Sequence, residues 1–111
     1  MPTIFDKIIS NEIPSDKVFE NERIIAFKDI HPVAPIHILI VPKKQIADLQ
    51  SVNAEDLSLI GEIIQVAQEL AVRYKITDGY RLLTNNGQLA GQTIFHLHFH
   101  LIGGHQLGAL A

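Results

Sequence analysis

Apolar residues along this chain follow two periods, and these divide it into elements. Ile4, Phe5, Ile8 and Ile9 fall on one stripe at helical spacing, which predicts a short helix over Pro2 to Ile9. Proline is tolerated in a first turn, and the stripe suits a lid packed on a core. Lys17–Glu20 and Ile24–Lys28 read as strands joined at Asn21-Glu22-Arg23, a hairpin signal. His37–Val41 is β-branched and apolar on both faces, the pattern of a central strand. Pro42-Lys43-Lys44 ends it, and Ile46–Leu49 suits one helical turn. The longest helical pattern runs from Asn53 to Tyr74. Asn53 is a good N-cap, with Glu55 and Asp56 in the first turn, where the helix dipole favours negative charge. Leu57, Ile60, Ile64, Ala67, Ala71 and Tyr74 recur at the 3/4 spacing, and Ile63 and Leu70 widen the stripe. Such a face must be covered by a sheet, a second subunit, or both. The mid-helix Gly61 marks a point for close approach of another element. Thr77-Asp78-Gly79 is a turn and Tyr80–Thr84 a strand. Asn85 to Gly91 is a loop rich in residues that tolerate positive φ. It leads through Gln92 and Thr93 into a last strand, Ile94–Gly103, which Gly103-Gly104 closes.

Composition narrows the class. The 111 residues suit one compact domain, residues 1–111, with one core. A net charge of −3 provides no overall basic field, so a nucleic acid partner is not expected. A small anion remains possible, because local donors can bind it without net positive charge. The absence of cysteine removes disulfides, a thiolate nucleophile and Cys-based zinc sites, and is compatible with a reducing cytosol. The first residues lack the long apolar region of a signal peptide, and no apolar run approaches the ~20 residues that span a bilayer. We therefore expect a cytoplasmic protein with no membrane partner.

The last strand changes the picture. His96, His98 and His100 alternate strictly, so an extended backbone puts them on one face, with Phe95, Leu97, Phe99 and Leu101 on the other. Neighbouring imidazoles would lie roughly 6–7 Å apart. Packing alone gives no reason for such a row, since valine or threonine serves a strand better. Asp29 and His31, in a proline-broken loop at a strand end, and His37, at the start of the central strand, are further candidates. The loop before the row, with its amides, glycines and hydroxyl, is a candidate oxyanion or phosphate cradle.

Two chemistries fit the row. Alternate histidines can bind zinc, but three on one strand span about 13 Å, too far for one ion without distortion. Neutral imidazole is also a competent nucleophile near pH 7, and flanking imidazoles can donate to phosphate oxygens and shuttle protons. His98, with a histidine on either side, is the natural attacker. We expect no metal and no cofactor.

His96-Leu97-His98-Phe99-His100-Leu101-Ile102 matches the His-φ-His-φ-His-φ-φ signature of the histidine triad (HIT) family, φ being apolar. Other segments carry the resemblance over almost the whole chain: Ile4-Phe5-Asp6-Lys7-Ile8-Ile9, Glu12-Ile13-Pro14, Ala26-Phe27-Lys28-Asp29-Ile30, Ala34-Pro35-Ile36-His37, Ile40-Val41-Pro42-Lys43-Lys44 and Gly91-Gln92-Thr93. They resemble the branch of histidine-triad nucleotide-binding proteins. The resemblance implies an α+β fold. It has a five-stranded, mainly antiparallel sheet, one long helix and one short N-terminal helix, with the sheet continued across a homodimer and the long helices at the interface. It also implies binding of purine nucleoside monophosphates and hydrolysis of the P–N bond of nucleoside phosphoramidates. Carried over, His98 is the nucleophile, through a nucleotidyl-histidine. His96 and His100 position it and bind the α-phosphate, supported by His37. Asp29 accepts hydrogen bonds from the ribose. Phe5, Ile8, Ile13, Phe27 and Ile30 enclose the base. Asn85, Gln92 and Thr93 contact the phosphate or the leaving amine, Thr93 replacing a serine common at this place.

One departure stands out. Better-known members carry a Trp-Pro-Pro tail that reaches the partner's site, and this sequence has no tryptophan. That bears on leaving-group preference and efficiency. The alternatives are a dinucleoside polyphosphate hydrolase and a nucleotide-binding scaffold with weak turnover.

Overall fold

The computed structural model describes residues 2–110; Met1 and Ala111 lie outside the described residues. Five strands form one sheet: β1 (Lys17–Glu20), β2 (Ile24–Lys28), β3 (Ile36–Pro42), β4 (Tyr80–Leu83) and β5 (Phe99–Gly103). Their spatial order is β1-β2-β3-β5-β4, and every neighbouring pair is antiparallel. The expected hairpin is present. Asn21 Oδ1 accepts from the Arg23 and Ile24 amides and closes the β1–β2 turn.

β3 is the central strand that its apolar run predicts. Its alternation feeds two cores. Ile38 and Ile40 join Ile24, Ala26, Phe99 and Leu101 under the long helix α2 (Leu57–Arg73). Leu39 and Val41 join Ile25 and Phe27 on the opposite face, under the short helix α1 (Ile4–Ile9). Sheet residues of period two thus hold one helix on each face. α1 begins with a capping box: Thr3 Oγ1 accepts from the Phe5 amide, and Asp6 Oδ2 accepts from the Thr3 amide at 2.6 Å. Pro2 precedes this helix instead of starting it.

Several expectations shift. The long helix opens with a 3₁₀ turn, Ala54–Asp56, and the Asn53 side chain makes no cap hydrogen bond. Asp56 is buried and paired with Lys44 at 2.7 Å, so that turn is held by an ion pair with the loop after β3. The predicted turn at Ile46–Leu49 sits slightly later, as a 3₁₀ turn at Leu49–Ser51 capped by Asp48. The buried stripe of α2 is Leu59, Ile63, Val66, Ala67, Leu70 and Ala71. Leu57 and Ile64, placed on the core stripe from sequence, are exposed. α2 is apolar around much of its circumference, so two stripes satisfy the 3/4 spacing and the sheet takes only one. Among the described residues, no atom outside its own helix lies within 4 Å of a Cβ placed on Gly61, so this glycine marks no close approach there.

The histidine row is not one continuous strand. Only Phe99–Gly103 pairs in the sheet; residues 94–98 are extended or bent without ladder bonds. Phe95 turns outward, 47% exposed, instead of joining the core beside Leu97. At the other end Gly104, at φ +102°, brings the chain so near Pro35 that an added Cβ would lie 3.0 Å from its ring.

The corrected phase of α2 is testable by urea unfolding. Ile63→Ala, at a fully buried position, should cost about 2–5 kcal/mol. Leu57→Ala, at a position exposed on the subunit, should cost less than about half of that. Equal losses would show that the stripe is phased as the sequence alone suggests.

Candidate functional site

The β3–β5 register sets His37 opposite Ile102 and Leu39 opposite His100. His37 and His100 are therefore diagonal neighbours on the α1 face, and their rings meet at Nε2···Nδ1 2.9 Å. The proton can be placed from the outer partner. The Val33 amide donates to His37 Nδ1 at 3.1 Å, so His37 carries its hydrogen on Nε2. It donates that hydrogen to His100 Nδ1, which leaves the His100 hydrogen on Nε2. Asp29 Oδ2 lies 3.4 Å from His37 Nε2, and Asp29 Oδ1 accepts from the His31 amide at 2.8 Å. The proline-broken loop after β2 is thus folded over the aspartate, which faces both His37 and the cavity.

His98 is oriented by its own chain. Its Nδ1 lies 2.7 Å from the His96 carbonyl, and a carbonyl only accepts. Nδ1 therefore bears the hydrogen and Nε2 holds a free lone pair. Thr84 Oγ1 donates to the His98 carbonyl at 2.7 Å, anchoring the backbone just before β5. His98 and His100 rings stand 5.2 Å apart, closer than an ideal strand spacing, because His98 precedes the regular strand. Phe5 of α1 meets His98 edge to face at 4.9 Å and His96 at 5.9 Å.

His96 is wholly buried, and its Nε2 donates to the Pro42 carbonyl at 2.7 Å. It lies outside the cavity wall and fastens the segment before β5 to the end of β3. The Leu97 amide, donating to the Ile46 carbonyl at 2.6 Å, adds to this fastening.

Burial shapes the ionisation of the set. Desolvation pushes His98 below the usual histidine value, against the hydrogen bond to the His96 carbonyl. Desolvation also lowers His37, opposed by Asp29. His100 is pushed down to about 4, by desolvation and then by the neighbouring His98 and His37. At neutral pH these three rings are uncharged, so the hydrogen placements above hold.

The cavity beside them has a volume of about 330 Å³. Its wall combines Phe5, Ile8, Ile13, Phe27, Ile30 and Leu39 with Asp29, Thr93, His98 and His100. The sequence-predicted pocket residues Phe5, Ile8, Ile13, Phe27, Ile30 and Asp29 are therefore brought together with Thr93, His98 and His100. Ile30 is 83% exposed and forms the rim.

Two predicted ligand contacts are placed otherwise. Gln92 is buried, with Oε1 accepting from the Gly87 amide and Nε2 donating to the Ala47 and Ile94 carbonyls. Both amide hydrogens are used, so Gln92 braces the loop whose glycines, Gly87 and Gly91, take positive φ. Asn85 is not among the residues of the cavity wall.

Sequence reasoning missed Thr84, the Pro42 carbonyl and Leu39, whose roles depend on tertiary contacts. It also missed Asp6, although the Thr3-x-x-Asp6 pattern is a legible helix start. A wider cleft of about 450 Å³, lined by Lys75, Arg81 and His105 among others, holds none of the triad. Asp29, His37 and His100 offer ligand atoms within 4.8 Å of one another, close enough to hold a metal ion. Of these atoms, His37 Nε2 and His100 Nδ1 are hydrogen-bonded to each other, while Asp29 Oδ1 accepts from the His31 amide.

The HIT domain model matches residues 10–107 of the chain. A HIT-like protein of Chlamydia pneumoniae is 50% identical over 109 residues, covering 98% of this chain and 99% of the relative. The structure of a HIT family hydrolase from Clostridium thermocellum superposes with a TM-score of 0.93 at 46% identity, covering 97% of this chain and 95% of that one. The histidine triad nucleotide-binding protein of Candida albicans gives a TM-score of 0.82 at 36% identity, covering 99% and 84%. By sequence, fold and the three alternating histidines, the chain belongs to the HIT, or histidine triad, family.

Proposed function

We propose that this chain is a purine nucleotide-binding hydrolase that cleaves the P–N bond of nucleoside 5′-phosphoramidates. The observation that carries the reading is the hydrogen placement at His98. Its Nδ1 is bound to the His96 carbonyl, so the free lone pair on Nε2 belongs to a ring that lines the cavity. His100, holding its hydrogen on Nε2, is a donor for a phosphate oxygen on the same wall. The apolar residues of the cavity wall suit a purine, and the Asp29 carboxylate suits ribose hydroxyls. The names of the Clostridium thermocellum and Candida albicans proteins, a hydrolase and a nucleotide-binding protein, support the same class.

The reaction has two displacements. His98 Nε2 attacks phosphorus and forms the N–P bond while the phosphoramidate P–N bond breaks; the amine departs with a proton taken from solvent at the Thr93 side. Water then attacks phosphorus, the His98–P bond breaks, and the water proton returns to solvent. His100 donates to the phosphate in both steps, and His37 holds the His100 tautomer. His96 acts through its carbonyl and through packing.

The chain acts as a homodimer in this reading. The unpaired edge of β4 and the exposed Leu57 and Ile64 of α2 suit a second copy. Sedimentation should give a dimer at micromolar concentration, and a monomer would remove this part of the reading.

Turnover of adenosine 5′-phosphoramidate tests the chemistry. Wild type should hydrolyse it with EDTA present, and His98→Ala should lose at least about 10³-fold in kcat. Loss of activity on chelation would favour a metal reaction at Asp29, His37 and His100. Nucleoside monophosphate binding without hydrolysis would favour the scaffold, or dinucleoside polyphosphates as substrates. Because burial lowers the His98 pKa, its free base persists into acid. The acidic limb of kcat/KM should therefore have its midpoint below pH 6.5, the ordinary histidine value. A midpoint above it would show that His98 is charged more readily than its surroundings allow.

A further inference from the structure

One buried polar atom near the triad has no hydrogen-bond partner among the described residues: His96 Nδ1. The ring's other nitrogen is committed, since Nε2 must donate to the Pro42 carbonyl. In neutral His96 the buried Nδ1 is then a bare acceptor. What stands nearest among charged groups is another acceptor, Asp6 Oδ1, at 3.7 Å. The His96 ring is fully buried and the Asp6 side chain is 29% exposed; two acceptors facing each other at this edge of the core repel, and a proton between them satisfies the buried Nδ1. The carboxylate has little freedom to turn away, because Asp6 Oδ2 already accepts from the Thr3 amide in the capping box of α1.

We propose that Asp6 is a positioning residue: with one oxygen it closes the N-terminal turn of α1, and with the other it shares a proton with buried His96 Nδ1, docking that helix on the triad. The consequence reaches the site through two contacts. The His96 carbonyl holds His98 Nδ1–H at 2.7 Å, so fixing the His96 ring fixes the acceptor that orients His98. Phe5, adjacent to Asp6, packs edge on against both His96 and His98 and forms part of the cavity wall. The same bridge therefore sets the nucleophile and the wall against which the nucleoside lies. The catalytic half of this inference rests on the reading of His98 as nucleophile; the pairing itself does not.

The test is long-range ¹H–¹⁵N spectroscopy of the histidine rings in the full chain at pH 7, with wild type and Asp6→Asn. The wild-type His96 ring should show both nitrogens protonated, with a slowly exchanging Nδ1 hydrogen. In Asp6→Asn the amide oxygen still accepts from the Thr3 amide, and the amide NH₂ donates to His96. Nδ1 should then become an unprotonated acceptor while Nε2 keeps its hydrogen. With the phosphoramidate, kcat should fall about tenfold in Asp6→Asn and further in Asp6→Ala, the size expected when a positioned group loosens. An unprotonated His96 Nδ1 in wild type overturns the proposal by itself, even if the variants do not fold. So do ring signals unchanged by Asp6→Asn. A shared proton in a wild-type chain that hydrolyses nothing supports the pairing and contradicts the hydrolase reading, so the two failures are distinct.

Discussion

The antiparallel pairing of β3 with β5 is the constraint on which the site depends. Setting Leu39 against His100 brings His37, two residues earlier, within hydrogen-bond reach of the His100 ring. A slip of one residue would turn every side chain of β5 to the other face, sending His100 under α2 and Leu101 into the cavity. The register is protected by burial on both sides. Ile38, Ile40, Phe99 and Leu101 are packed under α2, while Leu39 and Val41 are packed under α1. The apolar core is therefore what aligns the polar set.

That alignment engages at least one nitrogen of each of these imidazoles, and both of His37. The Val33 amide and the His96 carbonyl fix the tautomers of His37 and His98, the His37 ring fixes that of His100, and the Pro42 carbonyl holds the His96 Nε2 hydrogen. Desolvation keeps His37, His98 and His100 below their ordinary pKa, so the hydrogen-bonded chain is stable in its uncharged form around neutrality. A nucleophilic ring needs both conditions, a free lone pair and a fixed direction.

Much of this was legible in the sequence. Strict alternation over residues 96–101 placed three histidines on one side and Leu97, Phe99 and Leu101 on the other, and the structure keeps that division. The apolar run of β3, the hairpin at Asn21 and the α1 stripe were equally direct. Phe95 was not, because the bend after Ile94 is set by bonds from Gln92, His96 and Leu97 to the end of β3 and the loop after it. Those partners lie 45–54 residues away in the case of Gln92 and His96. Gln92 reads as a ligand contact from its place in Gly91-Gln92-Thr93, whereas its side-chain amide is taken up by Gly87, Ala47 and Ile94. The phase of α2 was ambiguous because the helix carries more apolar surface than the sheet covers. The bridge from Asp6 to His96 joins residues 90 positions apart, and no local pattern announces it.

In the proposed reaction His98 carries the nucleotidyl group between two displacements. Each displacement at phosphorus inverts configuration, so two in succession retain it, whereas direct attack by water inverts it once. Hydrolysis in ¹⁸O water of an adenosine phosphoramidate made chiral at phosphorus by sulfur substitution reads this directly. Retention of configuration is the predicted result, and inversion would contradict a covalent His98 intermediate.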